Sequence, residues 1–442
     1  MPEVSYEEAL NRLAGASHRG MRLGLDTTRS LLQALGNPER GLRGVLVAGT
    51  NGKGSVCAMV ASIAECSGLR VALLTKPHLT SYRERIRLYG EPISEAAFEE
   101  LVGRVLEAER MMDSTAGLPT HHELLTAMGF LAAAESGVDL TVCEVGLGGR
   151  LDATNVWDGG VAVLTSVGLD HQAQLGNTVS AIAREKAAII KPGNLAVSGA
   201  SGDAVPVVNE AARRSGARLW QLGQEIRYHP QASRGHRRLF AVETPARRLS
   251  QLQVGLAGEV QLANAALAVA VADCIGDLGL PIGDDSIRRG LGEVVWAGRL
   301  EPLSADRRIV VDAAHNPHAV QAIMPDLERL MGGRRTVLIF GSMGDHDHRG
   351  MLALLSSLPF AETVFTKAAS ARAVSPELLA AEWPGSLRIV EPVAGAVDYA
   401  RESSGPGDLI LTLGSIYVVG EVMSHLGVGL KADPVVARQP LW

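Results

Sequence analysis

The sequence predicts an α/β protein whose strands lie in mainly parallel sheets. Short β-branched runs alternate with longer helical patterns along most of the chain. The runs are apolar without strict alternation, as strands covered on both faces require. The 442 residues also exceed the roughly 250–300 at which a single hydrophobic core stops growing, so two domains are expected.

Taken in order, the expected strands are VLVAG (45–49), RVALLT (70–75), LTVCEVG (140–146), VAVLTSVG (161–168), LAVSG (195–199), RIVVDAA (308–314), TVLIFGS (336–342) and DLILTLGS (408–415). SVCAMVASIAECSG and EELVGRVLEAERMM read as intervening helices, the first closed by Gly68. Right-handed crossovers join such units. Residues 225–258 break the rhythm and read as a small antiparallel excursion with polar turns. QLANAALAVAVADCIG is again helical, GEVVWAGRLEPL reads as a junction, and the alternation restarts near Arg308. The expected domains are 1–296 and a smaller 297–442. The closing HLGVGLKADPVVARQPLW is apolar and reads either as docked or as frayed.

The composition, 46% hydrophobic and 20% charged, is that of a soluble globular protein. A net charge of −6 gives no reason to expect nucleic acid. No run approaches the ~18 apolar residues of a membrane span. The opening MPEVSYEEALNRL carries acids rather than the basic-then-apolar order of a signal peptide. A cytoplasmic protein without membrane contact is expected. Cys57, Cys66, Cys143 and Cys274 show no CxxC pairing and read as buried thiols in a reducing compartment. Lysine occurs only at Lys53, Lys76, Lys186, Lys191, Lys367 and Lys431, so a lysine inside a motif stands out.

One such motif is GTNGKGS, Gly49-Thr50-Asn51-Gly52-Lys53-Gly54-Ser55, between a strand and a helix. The usual phosphate loop has a glycine, four residues, then Gly-Lys-Ser/Thr. Here Val47 stands in the first glycine's place and Gly54 separates Lys53 from Ser55. The setting still suits a phosphate: backbone N–H groups form a cradle and the helix adds its positive dipole end. Lys53 would lie along the β- and γ-phosphates and Ser55 would offer its hydroxyl to Mg²⁺. The residues alone also admit a plain glycine-rich β–α turn. In CEVGLGGRLDATN, Glu144 closes a buried strand, at the end where open parallel sheets bind ligands. It reads as a Mg²⁺ ligand or as a loop-capping acid. His171 of SVGLDHQAQLG reads as a further ligand or as a core histidine. In the helical SAIAREKAAIIKPG (180–193), Lys186 follows Ile182 by one turn and could equally snorkel or pair with Glu185.

GTNGKGS, EVGLGGRLDATN, the Asp170-His171 pair, REKAAIIK and VDAAHNP occur in one order. Together they resemble the folylpolyglutamate synthase/dihydrofolate synthase family of ATP-dependent Mur ligases. The resemblance runs from RLGLDTTRSLLQALGNP (22–38) to GSIYVVGEV (414–422). It implies an N-terminal phosphate-loop ATPase-like domain with the antiparallel excursion and a C-terminal Rossmann-like glutamate-ligase domain. ATP would be held in the interdomain cleft by residues 49–55 with Asn264, Arg299 and Asp312. Ser55, Glu144 and His171 match the Mg²⁺ ligands of two expected sites. Lys186 matches a lysine carbamylated by CO₂, an anion that helps hold the second Mg²⁺; Lys53, Lys186 and His171 form the implied catalytic set. The acid would meet Arg22, Leu23, Gly24, Thr120, Glu123, Leu151, Asp152 and Ala153. Arg85, His315 and Ser415 match positions for the incoming glutamate. The implied reaction activates the carboxylate of dihydropteroate or a folate polyglutamate as an acyl phosphate and joins it to L-glutamate, releasing ADP and phosphate. The implied partners are these small molecules, and the implied state is a monomer. The rival expectations are another Mur-type ligase for a different acid, and a phosphate-loop ATP-binding regulatory module without ligase chemistry.

Three positions depart from the family. Its serine ligand of Mg²⁺ is Lys76 in TKPHL, and an ammonium cannot ligate a cation. Lys76 is expected to replace a metal's charge, to pair with Glu144 or the Lys186 carbamate, or to point to solvent. The family's DKD is Asp345-His346-Asp347, which reads as a polar loop or, with His348, as a metal cluster. The histidine before Gln261 is Val260.

Overall fold

The computed structural model describes residues 5–20, 24–113, 117–234 and 237–433. Among them the first domain is built on eight strands: β1 (Gly44–Ala48), β2 (Val71–Leu74), β3 (Ile86–Leu88), β4 (Glu91–Pro92), β5 (Leu140–Glu144), β6 (Gly160–Leu164), β7 (Leu195–Ser198) and β8 (Arg218–Gln221). Their order is β4-β3-β2-β5-β1-β6-β7-β8, parallel from β2 to β8 and antiparallel at the β3–β4 edge. β1 carries GVLVA, buried throughout. Val45 and Val47 pack with the helices Lys53–Cys66 and Val260–Asp277, while Leu46 and Ala48 join the core that holds the helices His121–Glu135 and Val179–Ala187. Each fully buried Val or Leu of this kind contributes about 1.5–3 kcal/mol. The helix Val260–Asp277 is long and apolar enough to cross a membrane by composition, yet 78% of it is buried inside the fold; it is a core helix.

A three-stranded antiparallel sheet follows, from β9 (Arg227–Arg234), β10 (Arg237–Glu243) and β11 (Arg248–Gln253). The excursion expected over 225–258 takes this form. The C-terminal α/β domain holds β12 (Glu301–Pro302), β13 (Ile309–Val311), β14 (Thr336–Phe340), β15 (Glu362–Phe365), β16 (Leu387–Ile389) and β17 (Leu409–Leu413), ordered β12-β13-β17-β14-β15-β16. All but β12 run parallel.

Every expected run forms a strand. β3, β4, β8, β12, β15 and β16 were not anticipated: they are short, and several carry charged or exposed residues that break an apolar run. The helix expected over 180–193 ends at Ala187; Pro192, which drives Lys191 out of the α region, bars it from running to 193. The chain end is docked as far as it is described. Leu430 accepts a hydrogen bond from Thr80 Oγ1 at 3.1 Å. Asp433 accepts from Tyr6 Oη, Ser81 Oγ and the Tyr82 N–H at 2.8, 3.1 and 2.7 Å. Residues 434–442 lie outside the described residues.

The topology decides where a ligand can sit. β1 lies between β5 and β6, so the loops leaving their carboxyl ends are neighbours. β13 and β17 are likewise adjacent, and their carboxyl-end loops face the same space from the second domain.

Candidate active site

The loop 49–55 leaves β1 and enters the helix Lys53–Cys66 through Gly52, whose φ of +85° belongs to the left-handed region. A Cβ there would also lie 2.7 Å from Asn264 Oδ1. At Gly54 a Cβ would lie 2.9 Å from Trp296 Nε1, which accounts for the extra glycine between Lys53 and Ser55. The loop is pinned to the segment after β6: Thr50 N–H donates to Ser166 O at 2.7 Å and Thr165 Oγ1 to Asn51 O at 2.6 Å. Lys53 Nζ donates to the carbonyls of Gly49 and Thr50, both at 3.1 Å. Gly52→Ala is therefore expected to destabilise the protein by about 1–2 kcal/mol through φ alone. It should also weaken ATP binding, read by thermal melting and calorimetric titration.

Glu144 ends β5 and is 5% exposed. Burial raises its pKa and the Lys53 charge opposes that rise. Its Oε2 accepts the Lys76 N–H at 3.2 Å. Ser55 Oγ is buried with no hydrogen-bond partner. An orphaned hydroxyl and a carboxylate with acceptor capacity to spare form a hard-oxygen pair that suits Mg²⁺. Among the described residues no group of three or more His, Cys, Asp or Glu is arranged to hold a metal, so the DHDH cluster reading is not supported. Mg²⁺ ordinarily completes its shell with phosphate oxygens and water. His171, at a left-handed φ of +46°, presents its ring to the cleft 3.9 Å from Asp170 Oδ2.

Lys186 comes to the same place from the helix Val179–Ala187. Its Nζ donates to Gly49 O at 2.8 Å, and burial together with Lys53 lowers its pKa to about 7. The EVGLGGRLDATN loop is shaped by this helix. A Cβ at Gly149 would lie 2.7 Å from Glu185 O and 2.9 Å from Lys186 O, so only glycine permits the approach.

Asp152 closes that loop on itself. Its Oδ2 accepts the Gly146 and Leu147 N–H groups, both at 3.0 Å, and its Oδ1 accepts Thr154 N–H at 3.1 Å and Thr154 Oγ1 at 2.6 Å. Burial alone would raise its pKa, but Lys76 and His122 hold it well below the usual carboxylate range. Lys76 does not point to solvent: its Nζ lies 2.8 Å from His122 Nε2 and 3.8 Å from Asp152 Oδ2. It meets Glu144 only through its backbone N–H. Thr120 and Glu123 form a capping box on the helix His121–Glu135, Thr120 Oγ1 accepting Glu123 N–H at 3.3 Å and Glu123 Oε2 accepting Thr120 N–H at 2.8 Å.

From the second domain, Asp312 follows β13 with its carboxylate on the N–H groups of Leu300 and Ala314, at 2.9 and 2.8 Å. His315 meets His346 at a tilt of 48° with ring centroids 4.7 Å apart, and burial with His346 lowers its pKa to about 4, leaving it neutral at pH 7. Ser415 follows β17 and caps the helix Ile416–His425. Asn316 bridges the domains, donating through Nδ2 to Asn51 Oδ1 at 3.1 Å and to Asp170 Oδ2 at 2.9 Å.

These groups line one interdomain cavity of about 920 Å³. Gly24, residues 49–55, Thr120, Glu123, Glu144, Leu151, Asp152, Ala153, His171, Lys186, Asn264, Arg299, Asp312, His315 and Ser415 all reach its wall. Arg85 does not. It is buried behind that wall, donating through Nε to His78 Nδ1 at 2.8 Å, in a separate cavity of about 30 Å³ shared with Lys76, His122 and Glu144. Arg87 lines the large cavity instead, its guanidinium 5.5 Å from the Trp296 ring. Arg22 and Leu23 lie outside the described residues. Asn316 and His318 escaped the sequence reading, and Asp170 and His346 were named there without a site role; Asp170 and Asn316 sit inside quoted motifs, but only the fold shows that they meet.

Two family descriptions match this chain: the Mur ligase middle domain over 47–272 and the Mur ligase glutamate ligase domain over 298–416. A relative named dihydrofolate synthase/folylpolyglutamate synthase, from Bacillus subtilis, is 30% identical over 431 residues, covering 96% of this chain and 99% of that protein. Among solved structures, Escherichia coli FolC in complex with DHPP and ADP superposes with a TM-score of 0.84 at 30% identity, covering 94% of this chain and 96% of that one. Mycobacterium tuberculosis folylpolyglutamate synthase complexed with ADP and AMPPCP gives 0.87 at 30% identity, covering 96% and 100%.

Proposed function

The chain belongs to the Mur ligase family and within it to the folylpolyglutamate/dihydrofolate synthases, and on that premise we propose how its cleft makes an amide. The protein is an ATP-dependent ligase that adds L-glutamate to dihydropteroate or folate. The observation that supports the assignment of residues is the meeting of the 49–55 loop, Glu144, Lys186, Asp312 and Ser415 on one interdomain cavity.

A carboxylate resists attack by an amine because oxide is a poor leaving group. In the proposed first step an oxygen of the acid's carboxylate forms a bond to the γ-phosphorus of ATP as the bond to the β-bridging oxygen breaks. ADP leaves and an acyl phosphate remains. The 49–55 N–H groups and Lys53 hold the phosphates and offset the charge on the transferring group, which is most of what such a transfer requires. Then the amine nitrogen of glutamate bonds to the acyl carbon, the carbon–oxygen bond to phosphate breaks, and the amine loses a proton. Ser55, Glu144 and His171 would hold Mg²⁺ at two sites. That ion would neutralise phosphate charge. Asn264, Arg299 and Asp312 take the rest of the nucleotide. Gly24, Thr120, Glu123, Leu151, Asp152 and Ala153 form the acid's wall, and His315 and Ser415 receive glutamate. The contact through Asn316 between Asn51 and Asp170 supports closure of the domains over the acyl phosphate, which excludes water.

Lys186 is proposed to carry a CO₂-derived carbamate. Only an uncharged amine accepts CO₂, and a pKa of about 7 keeps a substantial fraction uncharged at neutral pH. Lys186→Ala is expected to lose activity by about 10²-fold, with partial recovery on adding short carboxylic acids. No recovery would count against the carbamate. The domain boundary is placed at 296/297, and the protein is proposed to be a cytoplasmic monomer. The activity is tested by incubating the protein with ATP, Mg²⁺ and glutamate, adding dihydropteroate or tetrahydrofolate in parallel, and reading phosphate release and product mass. Phosphate released without either acid would contradict the assignment.

A further inference from the structure

Lys76 is held in an unusual way for a lysine. Its backbone N–H is fixed to Glu144 Oε2, beside the phosphate loop, while its side chain runs toward the wall formed by Asp152, Ala153 and Thr120. The side chain is only 11% exposed, yet it lines the interdomain cavity. Among the described residues only the His122 ring lies within hydrogen-bonding distance of its Nζ, at 2.8 Å from Nε2 and 3.3 Å from Nδ1, and the same Nε2 lies 3.1 Å from Asp152 Oδ2. Asp152 supplies a counter-charge at 3.8 Å, but its oxygens already accept from Gly146, Leu147 and Thr154. An ammonium has three donors, so Lys76 retains hydrogen-bonding capacity toward the cavity. A Cβ at Gly146 would lie 2.4 Å from Nζ, so the glycine leaves the space the ammonium fills.

We propose that Lys76, oriented by His122, binds the carboxylate of the acid substrate. This deepens the function given above and rests on it. An acid that receives the γ-phosphoryl group must bring its anionic end between the wall at Asp152 and the loop at Lys53, and Lys76 lines the same cavity with its Nζ on the Asp152 side. Carboxylate and triphosphate repel each other, and a buried cation between them offsets the repulsion as the acid enters. A charged N⁺–H···O⁻ contact in a largely dry wall is also among the stronger hydrogen bonds available. The Lys76–His122 pair thus selects acids over neutral pteridines of the same shape.

The test compares equilibrium binding of dihydropteroate with that of its analogue lacking the carboxyl group, on the wild type, Lys76→Gln and Lys76→Arg. ATP affinity serves as the check on folding. The wild type is expected to prefer the acid by about tenfold or more. Lys76→Gln should lose that preference while binding the analogue and ATP unchanged, and Lys76→Arg should keep most of it. Equal wild-type affinity for acid and analogue overturns the inference even if Lys76→Gln fails to fold. So does an unchanged acid affinity in a folded Lys76→Gln. If that variant turns over the acid with an unaltered KM, Lys76 alone falls and the ligase reading stands. A wild type that binds ATP but no pteroate-type acid overturns both.

Discussion

Lys53→Ala is expected to lower kcat/KM for ligation by about 10²–10³-fold. Lys53 is the cation of the phosphate loop, and its Nζ lies 3.1 Å from the carbonyls of Gly49 and Thr50 on the loop's inner side. Its charge also opposes the upward drift of the Glu144 pKa and helps depress that of Lys186. Removing it takes away direct stabilisation of the transferring phosphoryl group and disturbs the charge balance of two neighbours. The side chain lines the cavity and its hydrogen bonds go to its own loop, so the melting temperature should stay close to that of the wild type. Steady-state kinetics and thermal melting on the same preparation check this. A stably folded Lys53→Ala with activity within tenfold of wild type would remove the phosphate-loop reading.

Glu144→Gln is expected to cost about 10²-fold or more in activity while raising stability at neutral pH. The carboxylate sits at the end of β5 and burial raises its pKa. The folded protein therefore favours the protonated form more than the unfolded chain does. A group of this kind favours folding at pH below its unfolded pKa, and the advantage is lost as pH rises through the folded value. The amide carries no such penalty. Wild-type stability should fall relative to Glu144→Gln as pH rises through the shifted Glu144 pKa, and remain lower above it. Activity should be lost because the amide is a weaker partner for the cation beside the orphaned Ser55 hydroxyl. Chemical denaturation at several pH values, with Mg²⁺-dependent ligation measured in parallel, reads both effects. A variant that is both less stable and fully active would contradict them.

How much of this was legible beforehand varies with the physics of each part. Strands buried on both faces announce themselves, as GVLVA in β1 and LTVCE in β5 do, because burial demands a continuous apolar run. β3, β4 and β16 do not: they lie at or next to sheet edges and mix arginine or glutamate with apolar residues. The loops 49–55 and 146–152 were readable from their glycines, and the structure supplies the reason in the close approaches of Asn264 to Gly52 and of Glu185 to Gly149. What no pattern exposes is contact across long sequence separation. Asn316 meets Asp170 only because two separate sheets present their carboxyl ends to one another. The directions of the Arg85 and Lys76 side chains were not legible for a related reason. The direction of a long side chain is set by whatever surrounds it, and here His78 draws Arg85 behind the wall while His122 and Asp152 draw Lys76 along it.

The central claim is that the substrate's own carboxylate is phosphorylated within the interdomain cleft. It is tested most directly by supplying dihydropteroate whose carboxyl oxygens are heavy-isotope labelled, together with ATP, Mg²⁺ and glutamate, and weighing the released phosphate. One labelled oxygen should appear in the phosphate for each amide formed. Amide formation with unlabelled phosphate would contradict the mechanism.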